Sequence, residues 1–117
     1  MQHHFESLKV WQLGMVLVKE VYTITKEFPR KEQYGLIGQM RRAAVSIPVN
    51  IAEGKGRSHK KEYVQFLYTA RGSVFELMTL IKVSLELGYL NSKQASPLLQ
   101  MTSELTAMLS GLIQSQQ

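Results

Sequence analysis

Apolar side chains recur at alternating steps of three and four residues through most of this chain, a spacing typical of helices that bury one face. In the first segment these positions run from Phe5 to Tyr22, and Pro29 closes the segment after Phe28. In the second segment they are Leu36, Met40, Ala44, Ile47 and Ile51. No segment alternates apolar and polar residues for long enough to indicate a strand. The pattern therefore predicts an all-α fold.

Local signals for helix ends divide the pattern into four helices. Ser58 is the expected N-cap of the third helix, and Gly88 is its expected C-terminal glycine cap. Asn91 and Gln94 have the spacing of a capping box at the start of the fourth. The predicted helices cover about residues 5–28, 36–53, 59–87 and 92–114. Because the loops between them are short, we expect one domain over residues 1–117, an up-down antiparallel four-helix bundle.

The first two helices carry more apolar surface than one bundle core requires. The first helix has two stripes on opposite sides: Val10, Leu13, Leu17, Val21 and Ile24 on one, and Leu8, Trp11, Met15, Val18 and Tyr22 on the other. On the second, Val45, Val49 and Ala52 face away from the core positions. In an isolated bundle each helix has one side in water, and covering a Val or Leu there contributes about 1.5–3 kcal/mol. The sequence therefore predicts a homo-oligomer, with scattered surface aliphatic residues as the alternative.

Polar and helix-breaking residues interrupt the apolar face of the second helix. Pro48 has no N–H to donate, so the helix should kink there unless another donor takes its place. Asn50 and Glu53 lie one turn apart, where Arg71 or Ser73 of the third helix would be within reach. Buried polar groups need hydrogen bonds, and once satisfied they fix one register of packing. We therefore expect these side chains to be structural.

Small residues on the second and third helices predict that the two axes approach closely. Ser46 is one of several on the second helix, and Gly72 and Ser73 lie on the third. A glycine inside a helix costs about 1 kcal/mol relative to alanine, a cost that close packing at Gly72 would offset.

Positive charge is concentrated between residues 30 and 61. This stretch has eight Lys and Arg residues and two acidic ones, whereas the rest of the chain has six and seven. Arg57, His59, Lys60 and Lys61 crowd the start of the third helix, where the helix dipole disfavours each cation by about 0.3–1 kcal/mol. Exposed N–H groups beside several cations suit phosphate. A polyanion such as nucleic acid is the expected partner, and a solvated basic face is the alternative.

Patterns for catalysis and metal binding are scarce. The chain has no cysteine and no aspartate, which excludes disulfides, thiolate metal sites and Asp-based triads. No histidine pair has zinc spacing, and the glycines form no phosphate loop. We expect a non-enzymatic protein without cofactor or metal, although a small-molecule site at Glu53, Asn50 and Arg71 stays open. With no membrane-length apolar run and no signal-peptide pattern, a cytoplasmic location is expected.

Two segments of the chain resemble a known family. RRAAVSIPVNIAEGKGR, residues 41–57, and FLYTARGSVFEL, residues 66–77, are similar to four-helix bundle proteins encoded by intervening sequences in bacterial 23S ribosomal RNA genes. The likeness runs from FESLKVWQ to ELGYL, and Ser-Ile-Pro-x-Asn-Ile-Ala-Glu-Gly is its most specific part. Members of this family look like homopentamers of up-down bundles. They are similar to the accessory variability proteins of diversity-generating retroelements, which engage nucleic acid and a reverse transcriptase.

The resemblance implies a homo-oligomer, with a pentamer favoured, and RNA or DNA as the polyanion. The motif positions carried over as structural are Ser46, Pro48, Asn50, Glu53 and Gly54. The candidate phosphate contacts are Arg41, Arg42, Lys55, Arg57, Lys60 and Lys61. Because most Tyr and Phe residues fall on core stripes, binding is expected to be directed at the backbone and weakly sequence-selective. A scaffold that docks a partner enzyme such as a reverse transcriptase is the alternative.

Overall fold

The structure, a computed structural model, describes residues 4–117 and contains four α-helices. They are α1 at Lys9–Thr25, α2 at Gly38–Lys55, α3 at Lys60–Glu86 and α4 at Ser92–Ser115. A 3₁₀ turn at His4–Ser7 precedes α1, and two short helical turns, Arg30–Glu32 and Gln33–Ile37, join α1 to α2. Within residues 4–117 there is no strand, which confirms the all-α prediction. None of these helices is long and apolar enough to cross a membrane.

Contacts along α2 and α3 show that the two helices run antiparallel. Gly54, near the end of α2, faces Tyr63 near the start of α3. At the other end, the Ser84 hydroxyl of α3 donates to the Met40 sulfur of α2 at 3.5 Å. Helix α1 packs against α2 and α4, and α3 packs against α4, so the four helices surround one core. The arrangement is that of an up-down helical bundle.

One face of each helix forms the core. The largest side chains with no exposed surface include Leu17, Val21, Met40, Ile47, Ile51, Leu67, Leu77, Ile81, Leu105 and Leu109. On α1 the stripe with Leu17 and Val21 enters this core, whereas Met15 and Tyr22 of the opposite stripe are 45% and 39% exposed. On α2 the predicted core positions are buried, and Val45 and Val49 are 36% and 45% exposed. Both helices therefore present a second apolar stripe to solvent.

The caps predicted around the loop between α3 and α4 are confirmed. Gly88 has a φ of +79°, and the Tyr89 N–H beyond it donates to the Ser84 carbonyl at 2.9 Å. This bond back into the last turn is the one expected of a glycine-terminated helix. Asn91 and Gln94 form a reciprocal capping box, with N–H to side-chain oxygen distances of 3.0 and 2.8 Å.

Other helix ends differ from the sequence prediction. The N-cap of α3 is His59 rather than Ser58, because His59 has the extended backbone (φ −112°, ψ 136°) that precedes a first turn. Helix α2 begins at Gly38 and continues through Gly54, which lies inside the helix and does not end it. Helix α1 spans 17 residues, and 3₁₀ and turn geometry replaces the α-helix predicted at residues 5–8 and 26–28.

Candidate nucleic-acid interface

Ser46, Asn50 and Ser73 form a polar contact between α2 and α3. The hydroxyls of Ser46 and Ser73 lie 2.8 Å apart. The Asn50 amide donates to the Ser46 carbonyl at 2.8 Å and to the Ser46 hydroxyl at 2.9 Å. Pro48 lies between Ser46 and Asn50 in the chain, and α2 continues through it as a single helix. Ser73 therefore reaches Asn50 through Ser46, and this contact fixes how the two helices align.

Arg71 and Glu53 do not join this contact, so the pairing predicted for them is wrong. Arg71 Nη1 donates to the Ser110 hydroxyl of α4 at 3.0 Å, because two residues along a helix turn Arg71 away from the side that carries Ser73. Glu53 instead forms a 3.7 Å ion pair with Arg57, and both side chains are about half exposed. The groups suggested as a small-molecule site thus engage three separate partners.

Gly54, rather than Gly72, marks the closest approach of α2 and α3. A Cβ at Gly54 would lie 2.7 Å from the Cβ of Phe66 and 3.0 Å from Cδ1 of Tyr63. A Cβ at Gly72 would have no heavy atom within 4 Å, because Gly72 lies on the exposed side of α3. The packing role expected of Gly72 is therefore wrong, and the motif glycine at residue 54 has that role.

Four of the six candidate cations surround the turn between α2 and α3. Lys55 ends α2, Arg57 lies in the turn, and Lys60 and Lys61 begin α3; all four are exposed. We call these four residues the basic turn. Lys60 and Lys61 form no ion pair with any residue from 4 to 117. No side chain caps the first backbone N–H groups of α3 either, so donors and charge lie together at one exposed end.

Aromatic rings of α3 support two cations of the basic turn. The Arg57 guanidinium lies 4.7 Å from the Phe66 ring centroid, and the Lys55 ammonium lies 5.5 Å from that of Tyr63. Such contacts attract a cation to the face of a ring and so orient it, and Arg57 also forms its ion pair with Glu53. The Tyr63 hydroxyl is buried without a hydrogen-bond partner among the described residues, and burial raises the pKa of Tyr63 above 10.0. Tyr63 is therefore neutral near pH 7.

The other two candidate cations, Arg41 and Arg42, lie near the opposite end of α2. Arg41 precedes Lys55 by 14 residues, which corresponds to roughly 21 Å along a helix. Arg41 donates to the Thr25 hydroxyl at 3.0 Å and to the Tyr22 carbonyl at 3.4 Å, and its guanidinium lies 4.5 Å from the Tyr22 ring centroid. Arg41 thus fastens α2 to the last turn of α1, whereas Arg42 is exposed. The six candidates form two groups rather than one surface.

Several aromatic side chains are more exposed than the sequence predicts. Tyr22, Tyr34, Tyr68 and Phe75 are 39%, 93%, 41% and 47% exposed. Of these four, the sequence placed only Tyr22 on an apolar stripe. All four lie on outer helix faces or, for Tyr34, in the connection between α1 and α2. The position of Tyr34 between Gln33 and Gly35, before the predicted second helix, is the sequence signal that could have found it.

The second apolar stripes of α1 and α2 lie side by side. Together with Pro48 they line a shallow groove of about 280 Å³, formed by Trp11, Met15, Val18, Val45, Pro48, Val49 and Ala52. We call these seven residues the outer groove. A Cβ at Gly14 would lie 3.5 Å from the Ile47 side chain and 3.6 Å from the Pro48 ring, so α1 packs closely against α2 beneath the groove. The groove is an apolar surface that is partly open to solvent.

Comparison with known proteins finds a family that matches the sequence and a solved structure that matches the fold. A family model described as 23S rRNA-intervening sequence protein matches residues 6–111. The crystal structure of a protein of unknown function from the S23 ribosomal protein family of Bacteroides thetaiotaomicron matches with a TM-score of 0.83. The two sequences are 16% identical, and the match covers 89% of this chain and 97% of the other. No curated protein sequence matches significantly.

Proposed function

The chain belongs to the 23S rRNA-intervening sequence protein family, and from that premise we propose that it is a non-enzymatic homo-oligomer that binds the backbone of nucleic acid through the basic turn. The family is named for sequences that interrupt a ribosomal RNA, which makes RNA the first polyanion to test and DNA the second. Phosphate is the chemical group common to both, and cations recognise it without reading sequence.

Lys60 and Lys61, exposed and without ion pairs at the start of α3, carry the proposal. A helix N-terminus is the positive end of the helix dipole, so cations there oppose folding by about 0.3–1 kcal/mol each. Acidic residues would be the stabilising choice. When a phosphate is bound, these cations become stabilising, because the phosphate accepts hydrogen bonds from the free N–H groups and pairs with the ammonium groups.

The outer groove supports the homo-oligomeric part of the proposal. Its apolar side chains include Met15 and Val49, both 45% exposed, and burying such side chains against another copy stabilises an assembly. A pentamer, as the family resemblance implies, would repeat the basic turn five times. Repetition strengthens binding to a long polyanion, because contacts after the first become intramolecular.

Charge reversal at the basic turn tests the nucleic-acid part. We expect Lys60→Glu and Lys61→Glu each to weaken the binding of any RNA or DNA severalfold near 0.1 M salt, and the double variant by at least tenfold. Lys82→Glu is the matched control, since Lys82 is an exposed lysine on the same helix, 21 residues from Lys61. Fluorescence anisotropy measures the affinities. An equal loss in the control, or no loss in the basic-turn variants, would reject the proposal.

A scaffold that docks a partner enzyme is the second candidate, and the apolar outer groove is the observation that favours it. In this case the basic turn would meet an acidic protein surface rather than phosphate. A pull-down performed with and without nuclease separates the two functions, because only protein bridging survives removal of nucleic acid.

A further inference from the structure

The connection between α1 and α2 presents the most exposed aromatic ring among the described residues. This connector, residues 26–37, lies at the end of the bundle opposite the basic turn. Tyr34 within it is 93% exposed, about twice the exposure of Phe75 at 47%. Burying a tyrosine ring stabilises a fold, but the ring of Tyr34 is almost fully exposed and contributes almost nothing in this way. Both faces of the ring are therefore open to a ligand.

The backbone on both sides of Tyr34 is held in place. Glu32 Oε1 accepts from the Leu36 N–H at 3.2 Å, and Glu32 Oε2 accepts from the Tyr89 hydroxyl at 3.0 Å. Gly35 permits this, because a Cβ at that position would lie 2.8 Å from Glu32 Oε1. The Tyr89 ring in turn packs 5.5 Å from the ring of buried Phe28. Tyr34 thus stands on an anchored backbone, which lowers the entropy lost when a ligand binds to it.

A depression lined by cations lies at the same end of the bundle, and Gln33, which precedes Tyr34 in the chain, is one of its lining residues. Lys26, Arg30 and Arg41 contribute to this depression of about 210 Å³, whose other lining residues are Thr25, Phe28, Gln33 and Ile37. Lys26 and Arg30 are exposed and form no ion pair with any residue of the described part of the chain. Among residues 4–117, no acidic side chain lines the depression. Its three cations therefore give it net positive charge, which suits a phosphate.

We propose that the connector binds one unpaired nucleotide of a single-stranded nucleic acid, with its base stacked on Tyr34 and a neighbouring phosphate in the depression beside Lys26 and Arg30. This site rests on the proposed function and narrows the ligand to a nucleic acid that contains unpaired bases. Backbone contacts at the basic turn accept single strands and duplexes alike. Stacking on a protein ring needs an unpaired base, because the faces of paired bases are covered by their neighbours in the helix.

The two contacts are far enough apart to set a minimum ligand length. Helix α2 has 18 residues and is roughly 27 Å long, so the connector and the basic turn are separated by about that distance. A strand stacked as in a duplex advances roughly 3.4 Å per nucleotide and needs about eight nucleotides to reach both, and an extended single strand needs fewer. Within one subunit, shorter strands engage one contact at a time and lose the gain of linked binding.

Substitution of Tyr34 in the full chain tests the proposal. The probes are a fluorescein-labelled 12-nucleotide single-stranded RNA and a 12-base-pair RNA duplex, with binding followed by anisotropy. We expect Tyr34→Ala to weaken single-strand binding about 5- to 150-fold, the effect of about 1–3 kcal/mol per stacked base. Tyr34→Phe, which keeps the ring, should bind like the wild type. Duplex binding should change less than twofold in either variant.

Tyr68→Ala is the matched control, because Tyr68 is a 41% exposed tyrosine on α3, away from the connector. It should leave both affinities unchanged. If Tyr34→Ala leaves single-strand binding intact while Lys60→Glu/Lys61→Glu abolishes it, the connector site is rejected and the basic turn stands. Equal losses on single strand and duplex also reject stacking. If the wild type binds neither these RNA probes nor the same strands made of DNA, the proposed function fails together with this site.

Discussion

At the scale of single residues, the packing of α2 against α3 depends on one glycine and one pair of hydroxyl groups. Gly54 leaves room for Phe66 and Tyr63, and Ser46 and Ser73 supply the polar contact in the middle of the interface. These residues belong to or face the motif that marks the family resemblance. Their roles are packing and register, and none of them lies in the basic turn.

We expect Gly54→Ala to lower the free energy of unfolding by about 1–3 kcal/mol, because its Cβ would lie 2.7 Å from that of Phe66 and push the helices apart. Gly72→Ala is the control, with nothing within 4 Å of its Cβ, and should raise stability by up to about 1 kcal/mol through helix propensity alone. Urea denaturation measures both. Similar effects at the two glycines would contradict this account of the interface.

A double-mutant cycle tests the hydroxyl pair. We expect Ser46→Ala to cost about 1–3 kcal/mol, since it leaves the Ser73 hydroxyl and one Asn50 contact unsatisfied in a largely buried place. Ser73→Ala should also destabilise the protein. The double variant should cost less than the sum of the two, because no orphaned hydroxyl remains. Strict additivity in chemical denaturation would show that the 2.8 Å contact does not couple the helices.

At the scale of elements, Glu32 fastens the connector to the end of the bundle, and Arg41 ties together the two helices that the connector joins. Arg41 bonds the last turn of α1, and Glu32 links the connector to Tyr89 in the loop between α3 and α4. Both loops at this end are thereby tied together. The connector has its own anchoring even though it is not part of a long helix.

The link between Glu32 and Tyr89 predicts a pH dependence. The hydrogen bond to Glu32, then burial, then the Glu32 charge raise the pKa of Tyr89 above 10.0, because all three favour the neutral phenol. The stability that this gives is complete below pH 10 and is lost as pH rises through the higher pKa of the folded state. Ultraviolet absorbance titration of wild type and Tyr89→Phe isolates this group. Glu32→Gln should lower its pKa, and an unchanged midpoint would contradict the link.

The sequence was sufficient to predict the helices and some of their caps, because core burial repeats every three to four residues and capping contacts are local. Gly88, Asn91 and Gln94 are examples of such local signals. The anchoring of the connector could not be predicted, because it depends on a contact between Glu32 and Tyr89, which are 57 residues apart in sequence. The partner of Arg71 could not be predicted either, because the spacing of residues along α3 does not say which helix Arg71 faces.

At the scale of the whole molecule, the basic turn, the connector and the outer groove occupy different regions. The basic turn and the connector lie at the two ends of the bundle, and the outer groove runs along the side of α1 and α2. An assembly formed through the groove leaves both ends accessible. Side-by-side subunits would then gather like ends and their charges together.

A lysine in the outer groove should disrupt assembly. We expect light scattering to give the wild type a mass that is a multiple of 13.3 kDa and Val49→Lys a mass of 13.3 kDa, because an assembled groove would bury the new charge. Val16→Lys is the control, since Val16 is 49% exposed on α1 outside the groove, compared with 45% for Val49. A measured mass of 13.3 kDa for the wild type would show that the protein is a monomer and would reject the proposed homo-oligomer.

The salt dependence of RNA binding tests most directly whether the basic turn binds the phosphate backbone. We expect the logarithm of the association constant to fall linearly with the logarithm of salt concentration. For a single strand the slope should be steeper than about −2.8, at roughly 0.7 for each of four phosphates. Lys60→Gln/Lys61→Gln should make it shallower by about 1.4. Binding that is absent, or independent of salt, would contradict the account.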